Sequence, residues 1–441
     1  MKKASIFQLV FMTYAVICSG AYGLEEMVSA SGPGLALVAL LVLPVIYAAP
    51  ISLACAELSA RHPVEGGYYR WVRMAFGDFA GYMAGWLVWG TMFATNAAFA
   101  VLFGNYLRYF VPGLPAGTHF WVAVALVWVA TALNYFGIQL VGKASVILTI
   151  LIFLPFLGLT VLGLAQWHAN PFVPFAHPDK SFIGAMGSGF LIAIWLYGGF
   201  EKLTVSAEEV ENPARAFPIA LAFAVPMCAL SYFLPTFAAL VANADWREWG
   251  ESYYTVAATK VGGPLLGTMM AAGGLVSQAC ILLVTILAQS RLPMVLADDR
   301  LFFRSFGRKH PRFGTPVASL LLGGVVLSLL CRFRFSQLAG IYSMVQVLSY
   351  LLIYAALFRL RGRDDGPGDG GFRIPVGRRG LALMIAPSVV IVAVVLGTGL
   401  FHDGGFDGEQ ALLDLAIFAS GPVSYLLFRK LGSAAASNAL P

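Results

Sequence analysis

Residues 195–201 read WLYGGFE, two adjacent glycines followed by an aromatic residue and a carboxylate, in the middle of an apolar run from about 185 to 207. A helix that crosses a membrane satisfies its own backbone. Glycines beside a charge at that depth therefore mark either close helix packing or an interruption whose freed N–H and C=O groups face protein, water or ligand. The pattern occurs a second time near the amino terminus, where residues 18–23 read CSGAYG and lead into Leu24, Glu25 and Glu26. Two such clusters, five apolar runs apart, point to discontinuous helices at corresponding positions of two repeats.

The surrounding chain supports that setting. Of 441 residues, 59% are hydrophobic and 11% charged, with a mean hydropathy of +0.79, whereas a soluble domain carries roughly a quarter charged residues. The apolar runs are long and nearly continuous, which argues for helices rather than the alternating segments of a membrane barrel. They fall at about 8–30, 34–57, 79–110, 119–135, 141–165, 185–207, 216–243, 262–290, 315–332, 337–359, 379–401 and 410–428. The expectation is an all-α membrane protein: one transmembrane domain over 1–441, about 12 spans, repeats over about 8–165 and 185–359, and accessory helices over about 379–428. The first run is expected to be a span rather than a cleaved signal. The polar connections are too short to fold alone.

Charge sets the orientation. With the amino terminus inside, 22 Lys and Arg residues fall on that side, Lys202 among them, and six on the other: Arg108, Lys180, Arg247, Lys260, Arg332 and Arg334. Both termini are therefore expected in the cytoplasm. The net charge of +6 lies in connections between spans rather than on a folded basic face, so no nucleic-acid partner is expected. Cys18, Cys55, Cys228, Cys280 and Cys331 sit inside apolar runs without ligand spacing, and the six histidines sit in connections or at run ends. No phosphate-binding loop, catalytic triad or metal cluster can be read. An enzyme, a cofactor and a metal are not expected.

At each break, the half-helix that follows offers a positive N-terminal end to a carboxylate, and the preceding carbonyls suit an ammonium group. The expected substrate contacts are Ser19, Gly20, Ala21, Tyr22, Gly23 and Glu25 at the first break, and Trp195, Tyr197, Gly198, Gly199 and Phe200 at the second. Asn96 and Ser277 join them from the third and eighth runs, where Gln278, Tyr342 and Gln346 are further polar residues; hydrogen bonding between helices is the alternative for each. Glu201 is expected to carry a proton through the cycle. Glu25 and Glu201 have a second reading as caps of the half-helices they begin, and Glu26 reads as a cap or an exposed group. If Glu25 faces the cavity, a dibasic substrate gains weight; if it caps, a neutral amino acid does.

Several motifs taken together resemble the amino acid, polyamine and organocation (APC) superfamily of secondary transporters. They are AELSARHPVEGGYYRWVRMAFG with GYMAGWLVW, ALNYFGIQLVGKAS, WLYGGFE with EEVENPARAFPIAL, and FRIPVG. The resemblance covers nearly the whole chain and implies a LeuT-like five-plus-five inverted repeat with helices 1 and 6 discontinuous. It implies that Ser19–Gly23 meet a substrate carboxylate, that Trp195 closes over the substrate, and that Glu201 takes part in proton coupling or substrate sensing. The pattern GAYGLEEMV with WVRMAFG looks closest to the polyamine and amino acid permease branch. Two positions depart: Tyr22 stands between Ala21 and Gly23, and Ile152 precedes Phe153, Leu154 and Pro155, where some proton-coupled relatives carry a lysine.

The expected protein is thus a cytoplasmic-membrane secondary transporter of amino acids or polyamines, with protons as the coupling ion and the lipid bilayer as its surroundings. An obligate exchanger is the nearest alternative. A non-transporting scaffold is the remoter one, because a scaffold has no need of broken helices.

Overall fold

In the computed structural model the chain is helical almost throughout. The structure describes residues 5–18, 20–64, 66–113, 115, 117–136, 141–202, 204, 210–243, 245–299, 301–363, 372–398, 401–402, 405–406 and 408–437. The first apolar run is divided into α1 (Ile6–Ile17) and α2 (Glu25–Ser31), followed by α3 (Pro33–Leu43), a π-helical turn over Pro44–Ala48, and α4 (Ala49–Arg61). Then come α5 (Gly67–Phe76), α6 (Asp78–Phe110), α7 (Thr118–Phe136), α8 (Val141–Ala165) and α9 (Phe182–Leu196). The rest comprises α10 (Pro213–Ala242), α11 (Tyr253–Asp298), α12 (Val317–Leu330), α13 (Phe335–Arg363), α14 (Arg378–Thr398) and α15 (Gly408–Ser437). A two-residue hairpin of β1 (Phe401–His402) and β2 (Gly405–Phe406) joins the last two helices.

Among the described residues, seven helical runs are long and apolar enough to cross a membrane: Pro33–Arg61, α6, α7, α10, α11, α13 and the part of α14 up to Gly397. The protein is a multi-pass membrane protein. α6 runs through the middle of the bundle, packed against α11 and α13 and buried along most of its length.

Local chemistry explains how the helices begin and bend. Ser5 and Gln8 form a reciprocal capping box at the start of α1, and Ser181 caps α9 by accepting from Gly184 N at 3.1 Å. At the start of α10, Asn212 takes a left-handed conformation (φ 47°) and Pro213 occupies the first helical position, where its missing N–H costs nothing. Pro50 has no N–H to offer the carbonyl of Ile46. That carbonyl accepts instead from Ser388 of α14, at 2.8 Å.

Two sequence motifs meet in a buried ion pair. Glu57 of α4 and Arg361 of α13 pair at 3.1 Å with almost no exposure of either side chain. Ile374, within FRIPVG, donates its N–H to Glu57 at 2.9 Å and accepts from Arg361 Nη2 at 2.6 Å. The main chain of Ile374 thereby meets one oxygen of Glu57 and one nitrogen of Arg361, while Glu57 Oε1 and Arg361 Nε and Nη1 have only ion pairing.

The structure departs from the sequence-based boundaries in three places. The segment between the second and third apolar runs forms the amphipathic α5, which buries Tyr68, Tyr69 and Trp71. α5 is held to the end of α11 by Asp299, which accepts from Tyr69 at 2.7 Å and pairs with Arg70 and Arg73 at 3.2 and 3.0 Å. α11 runs from Tyr253 to Asp298, well beyond the apolar stretch of about 262–290 at both ends, with a left-handed Gly263 (φ 75°) dividing it. In the sixth run, α9 ends at Leu196 and the chain is irregular from Tyr197. Residues 205–209 lie outside the described residues, and with them much of the half-helix expected after the second break.

Candidate functional site

The first expected break is present in full, and the second as far as the described residues reach. α1 ends at Ile17 and the helix resumes at Glu25, while α9 ends at Leu196. Each break turns on a glycine in the left-handed region, Gly23 (φ 91°) in the first and Gly199 (φ 108°) in the second, where an L side chain is strained.

The carboxylates are tied into these turns. Glu25, 1% exposed, accepts from Gly23 N at 2.7 Å through Oε2, and its Oε1 accepts from the hydroxyl of Tyr106 on α6. Glu201 is 0% exposed, with Oε1 accepting from Gln346 Nε2 at 3.1 Å and Oε2 from the Tyr350 hydroxyl at 2.8 Å, both on α13. The Tyr350 oxygen in turn accepts from Gly199 N at 3.1 Å. The two breaks are thus chemically parallel: a left-handed glycine, a carboxylate two residues on, and a tyrosine donating to it. The amide freed by each break is satisfied internally.

A cavity of about 30 Å³ lies between the breaks. That is room for roughly two or three water-sized groups, so the site is contracted in this structure. Gly20 and Tyr22 line it from the first break, Thr95 and Phe99 from α6, Trp195, Gly198 and Lys202 from the second break, Tyr232 from α10, and Gln278 and Ile281 from α11. Tyr232 also donates to the carbonyls of Ile17 and Leu196. Trp195 is fixed by its indole N–H, which donates to Thr95 Oγ1 at 2.7 Å, and by edge-to-face packing on Phe335 at 5.0 Å. Tyr22 donates to the Met270 carbonyl at 3.1 Å, and its ring packs against Tyr106 and Phe156.

Of the expected contacts, Gly20, Tyr22, Trp195 and Gly198 face the cavity. Ser19 lies outside the described residues. Ala21, Gly23, Gly199 and Phe200 are buried in the breaks but outside the lining. Tyr197 points away and donates to Leu40 O of α3 at 2.7 Å, so it staples the break instead of lining it. Glu25 is likewise off the lining and acts on its own turn. Glu26 is half-buried on α2.

Asn96 is corrected. It donates to Gln289 Oε1 at 2.6 Å and accepts from Thr285 at 2.5 Å, which makes it a link between α6 and α11 rather than a cavity residue. Ser277 is buried beside the cavity-lining Gln278 without lining the cavity itself. Lys202, counted above among the orienting charges of a connection, is corrected too, because the break carries it into the cavity wall.

Interrupted helices about a small cavity within a bundle of membrane-length helices are consistent with a membrane transporter, and the family and relatives make the protein a transporter rather than an enzyme. The chain belongs to the amino acid permease family of the APC superfamily, whose family model matches residues 5–417. It is 30% identical over 402 residues to a probable polyamine transporter of Arabidopsis thaliana, covering 89% of this chain and 79% of that protein. A polyamine transporter of Oryza sativa subsp. japonica is also 30% identical, over 90% of this chain and 74% of its own length. An uncharacterized transporter of Mycobacterium bovis is 31% identical over 80% and 77%, respectively.

Proposed function

We propose that the protein is a twelve-span secondary transporter of amino acids or polyamines in the cytoplasmic membrane, with both termini inside. It takes up its substrate by alternating access about the two breaks and couples uptake to protons through Glu201. The repeats are the five-plus-five arrangement over about 8–165 and 185–359, with 379–428 accessory. The observation that carries this reading is the pair of chemically parallel breaks, each with a buried carboxylate, on either side of one contracted cavity. A site too small for a metabolite must enlarge to admit one, and paired breaks allow one half of the bundle to rock on the other. The family and the polyamine transporters among the relatives support the substrate class.

Uptake of labelled amino acids and polyamines into proteoliposomes, with and without an imposed inward proton gradient, tests this. The gradient is expected to drive accumulation in the wild type and not in Glu201→Gln. Unchanged gradient-driven uptake by that variant would remove the proton role.

An obligate exchanger is the second reading, favoured by the complete burial of Glu201 behind Gln346 and Tyr350. It requires uptake only into vesicles preloaded with substrate, independent of the gradient.

A further inference from the structure

Among the described residues that line the cavity, Lys202 alone carries a formal charge. Its side chain folds back over Gly199, where a Cβ would meet its Cδ, Cε and Nζ at 3.2 Å, and its ammonium lies 5.5 Å from the centre of the Tyr342 ring. Gln278, on the cavity wall and 2% exposed, has an Oε1 without a hydrogen-bond partner. A buried amide oxygen without a donor is costly, and a ligand that supplies an N–H accounts for it. The nearby carboxylates face elsewhere: Glu25 is held by Gly23 and Tyr106, and Glu201 by Gln346 and Tyr350.

We propose that Lys202 is the specificity-determining residue of the cavity. Its ammonium pairs with a substrate carboxylate while Gln278 Oε1 accepts from the substrate amino group, so that the substrate is an amino acid and polyamines are excluded. The proposal rests on the transport reading above and chooses between the two substrate classes it leaves open. A carboxylate set against an ammonium out of water forms a charge-assisted hydrogen bond, the strong kind. A polyamine brings several ammonium groups to a site of low dielectric whose wall already holds a cation and, among the described residues, turns no carboxylate toward it. Between turnovers the Tyr342 ring gives the lysine ammonium a resting place.

The test uses the purified full-length protein, by thermal shift and by proteoliposome uptake. The probes are the common L-amino acids, the carboxamide of the best of them, putrescine and spermidine. An amino acid is expected to stabilise the wild type and to be taken up, and its carboxamide to bind at least about tenfold more weakly, the effect of losing one charge-assisted contact. Lys202→Met is expected to show the same loss, Lys202→Arg to keep most of the binding, and Gln278→Leu to weaken it. The carboxamide comparison on the wild type and the Lys202→Arg variant decide the matter even if Lys202→Met fails to fold. Uptake of spermidine or putrescine by the wild type, or equal binding of the amino acid and its carboxamide, would overturn the role of Lys202 while leaving the transport reading intact. No uptake and no stabilisation with any probe would overturn both.

Discussion

The carbonyl oxygens of Ile17 and Leu196, the last residues of α1 and α9, converge on one hydroxyl, that of Tyr232, at 3.0 and 3.3 Å. A helix end leaves carbonyls without intrahelical donors, and within a membrane they need another partner. Here one side chain from a third helix serves both breaks. The two interruptions are thereby mechanically connected, and Tyr232 also lines the cavity between them.

Tyr232→Phe keeps the ring, which packs edge-to-face on Tyr197 at 5.4 Å, and removes the shared donor. A stability loss of about 1–2 kcal/mol is expected, the upper part of the range for hydrogen bonds between membrane helices. Uptake per folded molecule should fall as well. Thermal unfolding in detergent and uptake normalised to folded protein check the two parts separately.

Gly199→Ala places a Cβ on a residue at φ 108° whose nearest neighbours are the Lys202 side-chain atoms at 3.2 Å. The expected cost is about 1–3 kcal/mol of backbone strain. Gly113→Ala, where a Cβ meets nothing within 4 Å, should stay within about 0.5 kcal/mol of the wild type. Paired unfolding measurements distinguish the two.

Arg361→Met leaves buried Glu57 with only Arg61, whose Nη1 lies 3.8 Å from Oε1, and the Ile374 N–H, for an expected loss of about 3 kcal/mol, the lower end of the range for breaking a buried pair. Glu57→Leu combined with Arg361→Met removes both charges and should recover a large part of that loss. A double-mutant cycle on thermal stability measures the coupling.

Asp299→Asn weakens the attachment of α5 to the end of α11 by removing the charge that pairs with Arg70 and Arg73. Faster amide exchange in residues 67–76 is expected, with exchange in the core of α6 unchanged, because the loosening is local. Hydrogen-exchange mass spectrometry reads this directly.

The places where the chain breaks were legible in the sequence because their signal is local. Glycines and a carboxylate inside an apolar run have few structural uses at that depth, and WLYGGFE and CSGAYG carry that signal without reference to any other part of the chain. The partners of those residues were not legible. Tyr106, Tyr232 and Tyr350 are ordinary aromatic residues in their own helices, and only packing brings their hydroxyls to Glu25, to the ends of α1 and α9, and to Glu201. The meeting of Glu57 with FRIPVG was equally out of reach, since more than 300 residues separate Glu57 from Ile374.

Two differences share one cause. Asn96 was expected in the cavity and Thr95 is there; Ser277 was expected and Gln278 is there. One residue along a helix turns the side chain by about 100°. The sequence by itself determined the membrane setting, the two breaks and the turn of each helix that approaches them, because these follow from composition and local backbone chemistry. Tertiary structure alone decided which face of each turn meets the cavity, because the rotation of an apolar helix is set by the helices packed around it, and polarity does not mark the inward side.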